Sequence, residues 1–215
     1  MRRGFDYAHG LASELLNDVG DVGRIFHEFH NGATIVLQGL QRYWPPLADF
    51  CRDLELTLTH PVQANAYITP PSSRGLGIHY DTHDVFVLQT AGSKSWDIHQ
   101  CAMPFPLSTQ HGRPFGKLEP ALLSLQLGAG ESLYLPRGFL HQAVSTDEIS
   151  IHITIGLLCY TWWDLLQEIV AGAREDSRLR EALPAGLAHD TSDAVPMLQT
   201  RMSDSKFCLD FGGSR

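Results

Sequence analysis

No apolar run in the 215 residues approaches the ~20 needed to cross a bilayer as a helix, so a soluble protein is expected. There is no Gly-x-Gly-x-x-Gly, no phosphate loop and no Gly-x-Ser-x-Gly elbow, which leaves dinucleotide, nucleotide and serine-hydrolase chemistries without a motif. Cysteine is scarce: Cys51, Cys101, Cys159 and Cys208 show no Cys-x-x-Cys spacing, and no apolar leader precedes them. A reducing, cytoplasmic setting follows as the expectation. Positive charge is the minority, 16 basic against 24 acidic residues for a net charge of −8. That balance disfavours direct binding to a nucleic-acid backbone and suits a basic protein or peptide as partner. No internal repeat is evident.

What is present is 43% hydrophobic residues, enough for one sizeable core and not a reason for a second large domain. Val22, Ile25, Phe26 and Phe29 fall at helical spacing after Asp21, a natural N-cap, and Ala33 to Leu37 reads as a short strand. Pro45 and Pro46 open a second helix whose Leu47, Phe50, Cys51 and Leu54 share a face, since proline is tolerated in a first turn. From Asn65 to Leu157 short strands are punctuated by Gly, Pro and Asp turns, as in an antiparallel barrel or jelly roll. The clearest strand alternates Ile149, Ile151, Ile153, Ile155 and Leu157 with Ser150, His152, Thr154 and Gly156. Its polar face either looks into a cavity or meets water. Thr161 to Asp164 forms a capping box ahead of an apolar stripe of Leu165, Leu166, Ile169, Val170 and Ala173. A further helix is expected over Asp176 to Leu183. The chain thus reads as mainly β with flanking helices: an N-terminal helix and strand region packing on the barrel (1–60), a catalytic barrel (61–158), a helical segment with a stripe for homodimerisation (159–187), and a mobile tail without periodicity (188–215).

The chemistry concentrates in Gly77-Ile78-His79-Tyr80-Asp81-Thr82-His83-Asp84 and in Tyr134-Leu135-Pro136-Arg137-Gly138-Phe139-Leu140-His141. On a strand, residues two apart share a face, so His79 and Asp81 can aim at one metal while Tyr80 points away. His141, just after a Pro-Arg-Gly turn, is the third ligand from a neighbouring strand. Two imidazoles and one carboxylate hold one face of an octahedral iron and leave the opposite face open, which suits a non-haem Fe(II) oxygenase. Taken one at a time, the same residues could be core histidines and a turn aspartate. Asp84 to Thr90, a tight turn at Ala91-Gly92-Ser93 and a returning strand from Lys94 to His99 read as a hairpin that brings Lys94 into the same sheet. An ammonium on a strand interior is costly to bury unless an anion meets it, so a cosubstrate carrying a carboxylate would account for it. His83, His99 and His152 lie near this constellation and read as pocket or surface histidines rather than as a fourth ligand.

These segments, with Asn65-Ala66-Tyr67-Ile68-Thr69-Pro70, Gly92 to Trp96, Gly130 to Ala143 and Ile151 to Ile155, resemble the JmjC, cupin-fold Fe(II)/2-oxoglutarate oxygenases, and in particular their ribosomal oxygenase branch. The resemblance implies a double-stranded β-helix and a metal bound by His79, Asp81 and His141. It also implies 2-oxoglutarate as cosubstrate, its distal carboxylate on Lys94, with Tyr67, Asn65 and Thr154 in the same pocket. The substrate it implies is a protein side chain, a histidine or arginine of a ribosomal protein. The alternatives are an N-methyl demethylase, another metal-dependent cupin enzyme and a non-catalytic cupin-fold binding module. The chain departs from the family pattern at Gly156, where a serine is common, and at Glu131, where an aspartate is common. It also begins close to the catalytic region and ends without the usual helical C-terminal domain, so a shortened architecture is expected.

Overall fold

Strands whose apolar residues alternate with polar ones bury one face only, and here two antiparallel sheets bury those faces against each other. The computed structural model describes residues 21–111, 118–187 and 193–203. The first sheet has the order β1-β2-β8-β3-β6, with β1 Ile35–Leu37, β2 Val62–Thr69, β8 Ser150–Leu157, β3 Asp84–Ala91 and β6 Ser132–Leu135. The second has the order β5-β4-β7, with β5 Leu123–Leu127, β4 Lys94–Cys101 and β7 Phe139–Ser145. This is the jelly roll the turn spacing announced.

The sheets enclose Val85, Val87, Trp96, Ile98, Leu127 and Leu135. The outer face of the larger sheet is covered by α2, Pro45–Leu58, whose Leu47 and Cys51 pack with Val62, Ala64, Ile155 and Leu157. Each fully buried aliphatic side chain contributes roughly 1.5–3 kcal/mol, so these two clusters hold the layers together. Phe50, placed on the same helical face by its spacing, is 45% exposed and stands outside the α2 cluster. α1, Val22–His30, is capped by Asp21 as expected but has no buried residue among those described. With the isoleucines of β8 turned to α2, its polar face is turned inward, which settles the choice between cavity and water: His152 and Thr154 line the interior cavity.

Two expectations fail here for topological reasons. β3 and β4 are consecutive but do not pair: β3 is already flanked by β8 and β6, so the turn at Gly92 carries the chain into the other sheet and Lys94 pairs with Leu127 and Ser145. His79 and Asp81 lie in an irregular segment before β3 rather than on a strand, attached by an isolated bridge between His79 and His141.

The chain divides into two compact units at Cys159/Tyr160. In the second, α3 (Trp162–Ala173) has the Thr161/Asp164 capping box, and Trp162, Leu166 and Val170 are exposed. The helix expected over Asp176 to Leu183 is only a 3-10 turn, Ser177–Arg180. Asp176 caps its start, accepting from the backbone N–H and the guanidinium of Arg178 at 2.9 and 3.0 Å, and the chain turns extended at Glu181, φ −64° and ψ 150°, which ends it. The segment expected to be an aperiodic tail contains α4, Ala194–Ser203, where Arg201 donates to the Arg178 carbonyl and to Glu181 at 2.7 and 2.9 Å. Those contacts are tertiary and leave no periodic trace. The rest of that tail, and residues 1–20 of the N-terminal region, lie outside the described residues.

Gly138 joins the fold to the site. It sits at φ +85°, and a Cβ there would collide with the Met103 carbonyl oxygen. Its N–H donates to the Asp81 carbonyl at 2.9 Å, while its own carbonyl accepts from Ala102 at 2.8 Å. Gly138→Ala is expected to cost about 2–4 kcal/mol from backbone strain and overlap. Thermal unfolding followed by circular dichroism checks this, and an unchanged midpoint would show that the turn relaxes freely.

Candidate metal centre and its cavity

β7 supplies His141, and the preceding chain reaches it through a reciprocal pair of backbone bonds, His79 N–H to His141 O at 3.2 Å and His141 N–H to His79 O at 2.8 Å. With the Gly138 to Asp81 bond, these stitch residues 79–81 along the start of β7. The alternation expected of a strand therefore holds locally without a regular strand. Tyr80 points away from the histidines, buried, with its hydroxyl donating to the Gln110 carbonyl at 3.0 Å.

Each imidazole is oriented by its own backbone. His79 Nδ1 lies 2.7 Å from the Gly77 carbonyl and His141 Nδ1 lies 3.0 Å from the Phe139 carbonyl. A carbonyl only accepts, so both rings carry the proton on Nδ1 and present a bare Nε2, the arrangement of metal-binding histidines. The Nε2 atoms stand 4.0 and 3.7 Å from the Asp81 carboxylate, and one ligand atom from each of the three residues falls within 4.8 Å of the others. Burial, then the neighbouring His79, hold the His141 imidazole well below its ordinary pKa, so it stays neutral with its lone pair available. His79 and Asp81 are about a quarter to a third exposed, which leaves one side of the triad open. Two neutral nitrogens and a carboxylate converging from one side fit a divalent ion with open positions opposite.

Behind the triad lies a cavity of about 80 Å³. At about 10–15 Å³ per water, this is room for several waters or for a small organic acid in their place. Lys94 lines it, 2% exposed, with Nζ donating to Thr69 Oγ1 at 2.8 Å. Thr69 is in turn 3.0 Å from Thr34. No carboxylate forms an ion pair with Lys94 among the described residues, and burial alone pulls its pKa down to about 8. Tyr67 stacks on His152 with ring centroids 4.8 Å apart and planes 3° from parallel. Burial and then the charge of Asp81 push the Tyr67 phenol up to about 12, against a hydrogen bond with Thr154 that works the other way. Burial, then the charge of Lys94, pull His152 down to about 3, so it is neutral.

Of the residues singled out in the sequence, His79, Asp81, His141, Lys94, Tyr67 and Thr154 all line this one cavity. Asn65 does not. Its Oδ1 accepts from Gly39 N–H at 2.9 Å and from Gln63 Nε2 at 3.0 Å, pinning the 3-10 turn Leu40–Arg42 to β2. His152 is a cavity wall. His99 is buried elsewhere, with Nδ1 2.9 Å from the Glu119 carbonyl, and His83 lies against Gly156. Sequence reasoning missed Thr34, Thr69 and Trp96. Thr69 was within reach, since it lies two residues beyond Tyr67 on the same face of β2; Thr34 enters only through the β1 edge and has no local signal.

The profile of the JmjC domain family matches residues 40–165. Ribosomal oxygenase 1 of Gallus gallus is 32% identical over 212 residues, covering 90% of this chain and 35% of that protein. The bifunctional lysine-specific demethylase and histidyl-hydroxylase NO66 of Dictyostelium discoideum is 31% identical over 170 residues, covering 74% of this chain and 33% of that protein. The chain therefore spans about a third of the length of these relatives. Among solved structures, the ribosomal oxygenase YcfD of Escherichia coli in complex with cobalt and 2-oxoglutarate superposes with a TM-score of 0.55 at 19% identity, over 80% of this chain and 47% of that one. At that identity the likeness is one of fold.

Proposed function

The chain belongs to the JmjC domain family, and from that premise we propose that it is an Fe(II)- and 2-oxoglutarate-dependent oxygenase that hydroxylates a side chain of a basic polypeptide, a histidine or arginine of a ribosomal protein. The observation that carries the reading is Lys94: a buried ammonium with no anionic partner among the described residues, facing a small cavity whose other wall is a metal-ready triad. A cupin that used the metal without an acidic cosubstrate would have no use for that charge.

Ferrous iron and 2-oxoglutarate, when bound, would supply the oxidation: dioxygen is consumed, 2-oxoglutarate becomes succinate and carbon dioxide, and the second oxygen atom enters a substrate C–H bond. The chain's own residues do the holding. His79, Asp81 and His141 would take one side of the ion and leave the other for cosubstrate and dioxygen. Lys94 would meet the distal carboxylate, with Thr69 fixing the direction of its Nζ. Tyr67, un-ionised at any physiological pH, keeps its phenolic proton as a donor, and Thr154 orients it. Val85, Val87 and Leu135 add apolar wall to the cavity, which strengthens the charge-assisted contacts made inside it.

The substrate reading is supported by the names of the relatives, ribosomal oxygenase and histidyl-hydroxylase, and by the chain's net charge of −8. The protein, Fe(II), 2-oxoglutarate and oxygen are incubated with purified ribosomal proteins, and succinate and the oxidised residues are measured. Peptides that gain the mass of one oxygen are expected; loss of an N-methyl group instead would favour demethylation. Consumption of 2-oxoglutarate with small metabolites only, never with a polypeptide, would overturn the substrate and leave the oxygenase.

No described helix is long and apolar enough to cross a membrane. Cys51, Cys101 and Cys159 are free thiols, in keeping with the cytoplasm. The exposed Trp162, Leu166 and Val170 of α3 support a homodimer formed through that helix. Light scattering is expected to give a dimer mass that falls toward the monomer in Leu166→Glu; a monomeric wild type at all concentrations would remove this part.

A further inference from the structure

Gly156 is a glycine for space rather than for backbone conformation, since its φ is not in the left-handed region. It sits on β8, buried, in the inward row that also contains His152 and Thr154. A Cβ built on it would stand 2.7 Å from Cδ2 and 2.9 Å from Nε2 of His83. The imidazole of His83 therefore rests where any other residue would place its side chain, and the two positions form one unit. His83 precedes β3 and is half-buried, and none of its ring atoms has a hydrogen bond among the described residues.

Its place along the barrel says what it can touch. Lys94 reaches Thr69, which pairs with Ser150 at the opposite end of β8. From Ser150 to Gly156 is six residues of extended chain, about 20 Å at roughly 3.3 Å per residue. A five-carbon diacid held by Lys94 and the triad cannot span that distance. Yet His83 follows Asp81 by two residues, which keeps it beside the triad. It thus stands at the Gly156 end of β8, opposite the end that Lys94 reaches, and outside the residues that line the cavity.

We infer that His83, seated on Gly156, is a specificity-determining residue that hydrogen-bonds a peptide group of the polypeptide substrate beside the side chain to be oxidised. This rests on the oxygenase reading above. A neutral imidazole offers one donor and one acceptor, which matches the N–H and C=O of a backbone amide.

The test uses a synthetic peptide copied from the ribosomal-protein segment oxidised in the assay above. Its affinity for the Mn(II)- and 2-oxoglutarate-loaded protein is measured by calorimetry, alongside binding of Mn(II) and of 2-oxoglutarate themselves. His83→Ala is expected to weaken the peptide about 3- to 10-fold, the worth of one net hydrogen bond, and to raise its KM with kcat little changed. Gly156→Ser, which keeps the imidazole but takes its seat, is expected to do the same. Metal and cosubstrate affinities stay as in wild type. Unchanged peptide affinity in both variants overturns the assignment and leaves the oxygenase reading intact. Loss of metal or 2-oxoglutarate binding in His83→Ala overturns it as well, by moving His83 into the metal centre. A wild-type protein that turns over 2-oxoglutarate with no polypeptide at all overturns the substrate reading and this inference together.

Discussion

Asp81→Ala is expected to abolish Fe(II)-dependent turnover and to remove measurable metal binding, with the fold intact. Asp81 supplies the only carboxylate of the triad, and its two oxygens stand 4.0 and 3.7 Å from the two bare Nε2 atoms. Without it, a divalent ion would meet two neutral nitrogens and no compensating charge. Loss of a partner that merely orients a ligand costs 10- to 100-fold in metal affinity, so loss of a ligand should cost more. His79→Ala and His141→Ala are expected to follow. In both, the backbone pairing between residues 79 and 141 persists, because it uses main-chain atoms only. Calorimetric titration with Mn(II) gives the affinity, succinate formation gives the turnover, and circular dichroism shows whether the fold is kept. Full Fe(II)-dependent activity in all three variants would end the assignment of the metal to these residues.

The triad was legible in the sequence because the chemistry needs only local alternation: His79 and Asp81 on one side, Tyr80 on the other. That alternation survives even though the segment is not a strand, since a single bridge and the Gly138 bond impose it. Lys94 was legible too, but for a partly mistaken reason. The hairpin that was to bring it into the first sheet does not exist, and it enters the cavity from the second sheet instead. Sequence spacing reports which residues share a face; it does not report which strands become neighbours, because pairing is decided across the whole barrel. The same limit explains Asn65, which has the right alternation with Tyr67 but spends its carbonyl on Gly39 and Gln63. It explains α4 as well, which is fixed by Arg201 reaching back to a distant turn. Gly156 is the instructive case: in the sequence it reads as a missing hydroxyl, and in the structure it is the space that an imidazole fills.

Lys94→Met is expected to make the metal-free protein more stable and to weaken its binding of 2-oxoglutarate. Lys94 is 2% exposed, and burial alone takes its pKa from 10.5 to about 8. A depression of that size is a cost of about 3 kcal/mol to the folded state at neutral pH, where the group is charged both folded and unfolded, at about 1.4 kcal/mol per unit. Between pH 8 and 10.5 the unfolded chain holds more protons than the folded one, so the stability of the free protein rises with pH across that window. Methionine has a similar length and no charge to desolvate, so the variant should recover up to about 3 kcal/mol and lose that pH dependence. In a chain of this size, about 2–4 °C per kcal/mol makes the gain a rise of roughly 6–12 °C in the unfolding midpoint. Binding runs the other way. A charge-assisted bond to a carboxylate is worth roughly 1.5–3 kcal/mol, so 2-oxoglutarate should bind about 10- to 100-fold more weakly. In the wild type the acid binds the protonated lysine, so its affinity should fall above about pH 8, as free Lys94 loses its proton. Unfolding midpoints from pH 7 to 10.5 and calorimetric titration of the Mn(II)-loaded protein with 2-oxoglutarate measure both effects. A variant that binds 2-oxoglutarate as tightly as wild type would place the carboxylate elsewhere, and one that is less stable at pH 7 would mean that Thr69 and Thr34 already compensate the buried charge.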